Sequence, residues 1–174
     1  MEHLNIEIKA KSHDQESVRK ILKSKNADFK GVDHQIDTYF QVNNGRLKLR
    51  EGNIENKLIQ YNRENTAGPK QSDITLFRSD PKSSLKAILT KACGILVVVD
   101  KKREIYFIDN VKFHVDVVEG LGTFVEIEAI DSDGSIGKDR LLAQCQFYLD
   151  LFGILEEDLI AVSYSDLLLQ KVNR

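Results

Sequence analysis

Apolar and polar residues alternate strictly near the start of the chain. Between residues 5 and 11, Asn5, Glu7, Lys9 and Lys11 share one face of an extended strand, and Ile6, Ile8 and Ala10 share the other with Leu4, because successive side chains of a strand point to opposite sides. The same period of two returns along the chain. Arg46, Lys48 and Arg50 alternate with Leu47 and Leu49, and Lys101 and Arg103 share a face. His114 and Asp116 alternate with Phe113, Val115 and Val117, and Glu126 and Glu128 with Val125, Ile127 and Ala129. Turn signals separate the runs at Asn43-Asn44-Gly45, at 52–56, at Asp109-Asn110 and at 119–122, where Asn, Asp and Gly tolerate positive φ. The pattern predicts eight strands, at 5–11, 29–42, 46–50, 57–63, 72–78, 95–108, 111–118 and 123–130.

Helical spacing fills the gaps. Val18, Ile21 and Leu22 repeat with a helical period behind Ser12 or Asp14 as N-cap. Asp80-Pro81 predicts a second helix start, an N-cap followed by proline at the first helical position, with Gly94 ending the helix. Residues 138–153 carry a third stripe through Leu141, Leu142, Cys145, Tyr148, Leu149 and Phe152, and a short helix is predicted around 165–169. These stripes need apolar surface to cover. If the helices cover the apolar side of the sheet, its charged side turns inward on closure. The prediction is an α+β fold in a single domain, 1–174: a closed eight-stranded antiparallel β-barrel with a charged interior and helices packed outside. Small soluble barrels more commonly fill their interior with apolar side chains or one apolar ligand.

Composition narrows the setting. The chain has 174 residues, 41% of them hydrophobic and 30% charged, and a formal net charge of −2, so no global basic field points to nucleic acid or a membrane surface. Cys93 and Cys145 are too few and too scattered for a disulfide framework or a zinc site, and a reducing cytoplasm is the expected location. No leader-like segment opens the sequence, and the longest strongly apolar run, 95–99, is too short to cross a bilayer. A homodimer is left open.

The inward faces carry the chemistry. The bases Lys9, Lys11, Arg46, Lys48, Arg50, Lys57, Arg63, Lys101 and Arg103 outnumber the acids Glu7, Asp116, Glu126 and Glu128 by nine to four, a predicted interior surplus of five. Charge buried without a partner is costly, and a multiply charged anion is the natural counterpart, phosphate above all because arginine binds it bidentately. Glu126 and Glu128 lie about 7 Å apart along one strand face and, with Glu7 and Asp116, could supply oxygen ligands to Mg²⁺ or Mn²⁺. The simpler alternative is that the acids pair with the bases across strands. His114, Tyr39 and Tyr61 are expected as structural groups, and residues 138–140 as solvated surface.

In order along the chain, Asn5-Ile-Glu7-Ile-Lys9, Arg46-Leu-Lys48-Leu-Arg50, Tyr61-Asn-Arg63, Lys101-Lys-Arg103, Asp116-Val-Val-Glu119-Gly-Leu-Gly122 and Glu126-Ile-Glu128 resemble the CYTH superfamily. This group of triphosphate tunnel metalloenzymes includes class IV adenylate cyclases and thiamine triphosphatases. The segments 68–73 and 163–168 look most like the class IV cyclase branch. The resemblance implies a tunnel in which Lys9, Arg46, Lys48, Arg50, Arg63, Lys101 and Arg103 hold a triphosphate, joined by Lys11, Lys57 and Lys70, while Glu7, Asp116, Glu126 and Glu128 bind Mg²⁺ or Mn²⁺. It implies catalytic roles for Lys9, Lys101 and Arg103. The implied substrate is a small-molecule triphosphate: ATP cyclised to cAMP and pyrophosphate, or, alternatively, tripolyphosphate, thiamine triphosphate or a nucleoside triphosphate hydrolysed. A non-catalytic polyphosphate- or nucleotide-binding module would keep the bases but not need the acids. An apolar carrier does not fit so charged an interior. Asn5 departs from the family pattern, which usually has glutamate there, and so removes one negative charge.

Overall fold

All eight predicted strands are present, and they close. The computed structural model describes residues 2–63 and 65–173, with the side chains of Glu2, His3 and Arg63 outside the description. Its elements run β1 (Glu2–Lys11), α1 (Gln15–Ser24), β2 (Asp28–Phe40), β3 (Arg46–Glu51), β4 (Lys57–Arg63), β5 (Lys70–Arg78), α2 (Leu85–Cys93), β6 (Ile95–Ile108), β7 (Val111–Val118), β8 (Gly122–Asp131), α3 (Lys138–Leu151), a 3-10 turn (Glu156–Asp158) and α4 (Tyr164–Val172). The strands form a closed barrel in the order β1-β5-β4-β3-β2-β6-β7-β8. Every neighbouring pair is antiparallel. Closure leaves no unpaired strand edge.

Alternation explains what lies on each side of the wall. Ile6, Ile8 and Ala10 of β1, Val111, Phe113 and Val115 of β7, and Val125, Ile127 and Ala129 of β8 form one apolar cluster with Val18 and Leu22 of α1 and Leu141 and Cys145 of α3. The main hydrophobic core therefore lies outside the barrel, between sheet and helices. Phe113, fully buried, stacks edge-on against Tyr148 with ring centroids 4.7 Å apart. Burying such a ring is worth about 1.5–3 kcal/mol. The opposite face of these strands points inward and is left to the charged residues.

Two helices differ from expectation. The predicted start at Asp80-Pro81 is a β-turn instead, in which the Ser83 amide donates to the Asp80 carbonyl at 3.0 Å and the Lys82 amide to the Asp80 carboxylate at 2.9 Å. Asp followed by Pro suits the first two positions of such a turn as well as it suits a helix start, and α2 begins only after Ser84. The last helix is not on the outer wall. Tyr164, Leu167 and Leu168 of α4 pack with Tyr39, Ile59, Tyr61, Val99, Val118 and Phe124, a second apolar cluster that closes one mouth of the barrel. A capping box fixes the start of α4: the Asp166 amide donates to Ser163 Oγ at 3.2 Å, and the Ser163 amide to Asp166 Oδ2 at 3.1 Å. At the same mouth the predicted turn puts Gly45 at φ 64°, where a Cβ would lie 2.8 Å from the Tyr61 carbonyl. Only glycine fits there.

Candidate active site

Register sets the charged interior. Glu7 stands opposite Glu128, and Lys9 opposite Glu126, across β1 and β8. His114 faces Glu126, and Lys112 faces Glu128, across β7 and β8. Arg103 faces Asp116 across β6 and β7, and Asp37 faces Arg50 across β2 and β3. Opposite charges at directly paired positions stabilise a sheet. All of these residues except Asp116, the like-charged pair Glu7 and Glu128 included, line a cavity of about 160 Å³.

Three buried carboxylates organise the cations. Asp37 accepts from Arg50 Nε and Nη2, both at 2.8 Å, from Lys101 Nζ at 2.7 Å and from Lys48 Nζ at 3.2 Å. Burial alone would raise this carboxyl, but Arg50, Lys101 and Lys48 overcome it and hold Asp37 well below the usual carboxylate range. Asp116 takes Arg103 bidentately, at 2.8 and 2.6 Å, and the Tyr164 hydroxyl at 2.7 Å. Glu126 receives Arg103 Nη2 at 3.0 Å, Lys9 Nζ at 3.1 Å and His114 Nδ1 at 2.9 Å. Lys9 Nζ also sits 4.0 Å from the centre of the Tyr164 ring. Lys101 is buried among other bases. Burial, reinforced by Arg50, Arg103 and Lys48, pulls its ammonium well below the usual lysine range despite Asp37.

The structure brings most of the predicted residues together. Glu7, Lys9, Lys48, Arg50, Lys57, Lys101, Arg103, Glu126 and Glu128 all line the cavity. Asp116 lies behind Arg103, fully buried. Others stand apart. Lys11 is exposed at the end of β1. Arg46 belongs to the mouth, donating to Ser163 Oγ at 2.6 Å and pairing with Asp166 at 2.8 Å. Lys70 is buried, with its ammonium 3.0 and 2.7 Å from the Ile160 and Ala161 carbonyls, where it holds the segment leading into α4. The Arg63 side chain lies outside the described residues.

Asp37, Glu55, Lys112 and Tyr164 also line the cavity or its end and are absent from the predicted set. Asp37 and Lys112 were findable, since each falls on the inward phase of its strand between other inward residues. Glu55 lies in a turn and Tyr164 on a helix, where strand phase carries no information. Their inclusion corrects the charge balance. Among the described lining residues seven bases (Lys9, Lys48, Arg50, Lys57, Lys101, Arg103, Lys112) meet five acids (Glu7, Asp37, Glu55, Glu126, Glu128), a surplus of two rather than five. His114, expected to be structural, does pair with Glu126 but also lines the cavity, with Nε2 buried and without a partner. Tyr39 and Tyr61 flank Lys48 Nζ, which lies 5.4 and 5.6 Å from their ring centres.

The acids divide into two groups with respect to a cation. Glu126 and Asp116 are held by Arg103. Glu128 is held differently: burial, with Glu7, Glu126 and Glu55 nearby, raises its carboxyl although Lys112 opposes the shift. Asn5 Nδ2 donates to Glu128, leaving Asn5 Oδ1 buried and without a partner. Two facing carboxylates and an orphaned amide oxygen are the donor set a hard divalent cation takes. Among the described residues no three acidic, histidine or cysteine side chains form a ready-made cage.

The CYTH domain model matches residues 3–164. A provisionally named adenylate cyclase of Methanocaldococcus jannaschii is 29% identical over 184 residues, covering 94% of this chain and 98% of its own. Among solved structures, a Pyrococcus horikoshii protein is similar with a TM-score of 0.76 at 25% identity, covering 93% of this chain and 98% of its own. A provisionally named adenylyl cyclase from Hippeastrum, in which a triphosphatase activity is dominant, shares the fold with a TM-score of 0.62 at 14% identity over 99% of this chain and 96% of its own. With its closed tunnel barrel and a family match over nearly its whole length, the chain belongs to the CYTH family.

Proposed function

We propose that this protein is a metal-dependent enzyme acting on a triphosphate, with cyclisation of ATP to cAMP and pyrophosphate as the leading reaction. The observation that supports it best is the convergence of seven lysine and arginine side chains inside one closed barrel, beside the facing pair Glu7 and Glu128. Phosphoryl transfer leaves a protein mainly positioning and electrostatics to supply. Lys101, Arg50 and Lys48 form a cluster held by Asp37, and Arg103 and Lys9 one held by Glu126. A polyphosphate entering between them would bind both clusters without the protein having to reorganise at the moment of reaction. Arg103, locked by Asp116, would stabilise the charge that develops on the leaving pyrophosphate. Glu7, Glu128 and Asn5 Oδ1 would hold Mg²⁺ or Mn²⁺, which when bound neutralises charge on the phosphate oxygens.

Hydrolysis is the second reading, favoured by the triphosphatase activity of the Hippeastrum relative. The same cradle serves both outcomes, which differ in whether a ribose hydroxyl or water attacks. Incubating the purified protein with Mg²⁺ or Mn²⁺ and ATP, thiamine triphosphate or tripolyphosphate separates them. cAMP without orthophosphate establishes the cyclase. Orthophosphate from tripolyphosphate without cAMP rejects it for the triphosphatase, and no turnover with any metal rejects both.

A further inference from the structure

The turn between β3 and β4 lies at the end of the barrel opposite α4, and it sends an acid into the cavity. Glu55 pairs with Lys112, with Arg50 Nη1 at 3.1 Å and with Lys57 Nζ at 3.5 Å, and Gln35 Nε2 lies 3.3 Å away. Burial would raise this carboxyl, but Lys112, Arg50 and Lys57 override it and hold it far below the usual carboxylate range. Lys57 opens β4 and Lys112 stands near the start of β7, so both bases lie toward this end of the barrel.

The turn is pinned from behind. Asp33, fully buried, accepts the Ile54 and Glu55 amides at 2.9 Å each and Gln35 Nε2 at 2.8 Å. The Gly52 amide donates to Asn56 Oδ1 at 3.1 Å, and Asn56 Nδ2 returns a bond to the Gly52 carbonyl at 2.9 Å. A Cβ on Gly52 would stand 2.6 Å from Asp33 Oδ1. A turn held this way cannot swing aside without leaving the buried Asp33 carboxylate short of partners.

We propose that Glu55 is a specificity-determining residue: a fixed carboxylate that ends the row of cations and limits the length of phosphate chain the tunnel accepts. The proposal rests on the triphosphate reading and adds to it which end of the tunnel is shut to further phosphates. A chain lying along Lys9, Lys101, Arg103 and Arg50 would bring its next phosphate against the Glu55 carboxylate, and like charges in a partly dehydrated site repel strongly. The cations that could receive that phosphate, Lys57 and Lys112, are already engaged by Glu55.

Calorimetric titration of the full chain with tripolyphosphate, tetrapolyphosphate and a medium-chain inorganic polyphosphate, at fixed ionic strength, tests this. The wild-type protein should bind tripolyphosphate at least about tenfold more tightly, per chain, than either longer anion. In Glu55→Gln, which keeps the shape, that preference should collapse through a gain for the longer chains. Equal wild-type affinity for all three anions overturns the proposal while leaving the triphosphate reading intact, and this arm needs no variant. A preference unchanged in Glu55→Gln, with its thermal transition intact, also overturns it. Failure of the wild-type protein to bind tripolyphosphate at all rejects the triphosphate reading together with the proposal.

Discussion

Asp37 gives the most direct measure of how the empty tunnel is held together. It is fully buried and joins Arg50, Lys101 and Lys48. Asp37→Asn keeps the volume and one acceptor but removes the charge that three cations share. Removing one partner from a buried ion cluster costs about 3–5 kcal/mol, because charge is left uncompensated. The loss is smallest where Lys101, which burial already pulls well below the usual lysine range, sheds its proton. Acidification closes that escape, so the loss should grow as pH falls. On the proposed triphosphate reading, a bound polyphosphate would supply the missing charge. At about one hundred times its Kd a ligand stabilises the wild-type fold by ~2.7 kcal/mol, and the variant should gain about 1–2 kcal/mol more, since its cations are otherwise unpaired. Urea unfolding followed by circular dichroism, with and without tripolyphosphate, measures both quantities. A loss below about 1 kcal/mol without ligand, or the same ligand-induced gain in both proteins, would refute the idea that Asp37 stands in for substrate charge.

Three further outcomes are expected. Burial and Arg103 pull the His114 imidazole down to about 4, so between there and the ordinary value near 6.5 the unfolded chain binds the proton first and stability rises with pH. His114→Gln should remove that slope, worth up to about 3 kcal/mol across the window, in urea midpoints of metal-free protein. Burial raises the Cys145 thiol to about 12, and the thiol donates to the Ile6 carbonyl at 3.3 Å, so a disulfide reagent should titrate Cys93 in the native protein and Cys145 only on unfolding. Tyr164→Phe should cost about 1–2 kcal/mol by removing one donor to buried Asp116, with Arg103 keeping the carboxylate paired. A loss above about 4 kcal/mol would mean that Tyr164 holds the mouth closed by more than this bond.

The fold was legible because one rule, alternation, governs nearly every strand, and a slip of one residue would exchange its two faces. Lys48, Arg50, Lys101, Arg103, Glu126 and Glu128 could be placed inside before any contact was known. What alternation does not carry is position along the tunnel axis or the path of turns and helices. Arg46 shares a phase with Lys48 and Arg50 yet belongs to the mouth, because β3 begins there. Lys11 shares a phase with Lys9 but lies beyond the last covered turn of wall. Lys70 was readable as a base but not as the clamp on residues 160 and 161, a contact 90 residues away in sequence. Asp80-Pro81 failed for a local reason, since one dipeptide fits two kinds of corner.

The corrected charge balance changes what Asn5 means. With a predicted surplus of five, exchanging one acid for an amide would have mattered little. With a surplus of two, each charge counts, and Asn5 sits against Glu128, an acid whose carboxyl burial raises. A glutamate there would add a third carboxylate to Glu7 and Glu128 and push all of them toward the protonated form unless a divalent cation were always present. Asn5 instead donates to Glu128 and offers Oδ1 to the cavity. The acids at positions 37, 55, 116 and 126 are engaged by bases. Under the proposed metal-dependent reading, the amide would let a cation arrive with substrate, where a third carboxylate would require one to be held permanently.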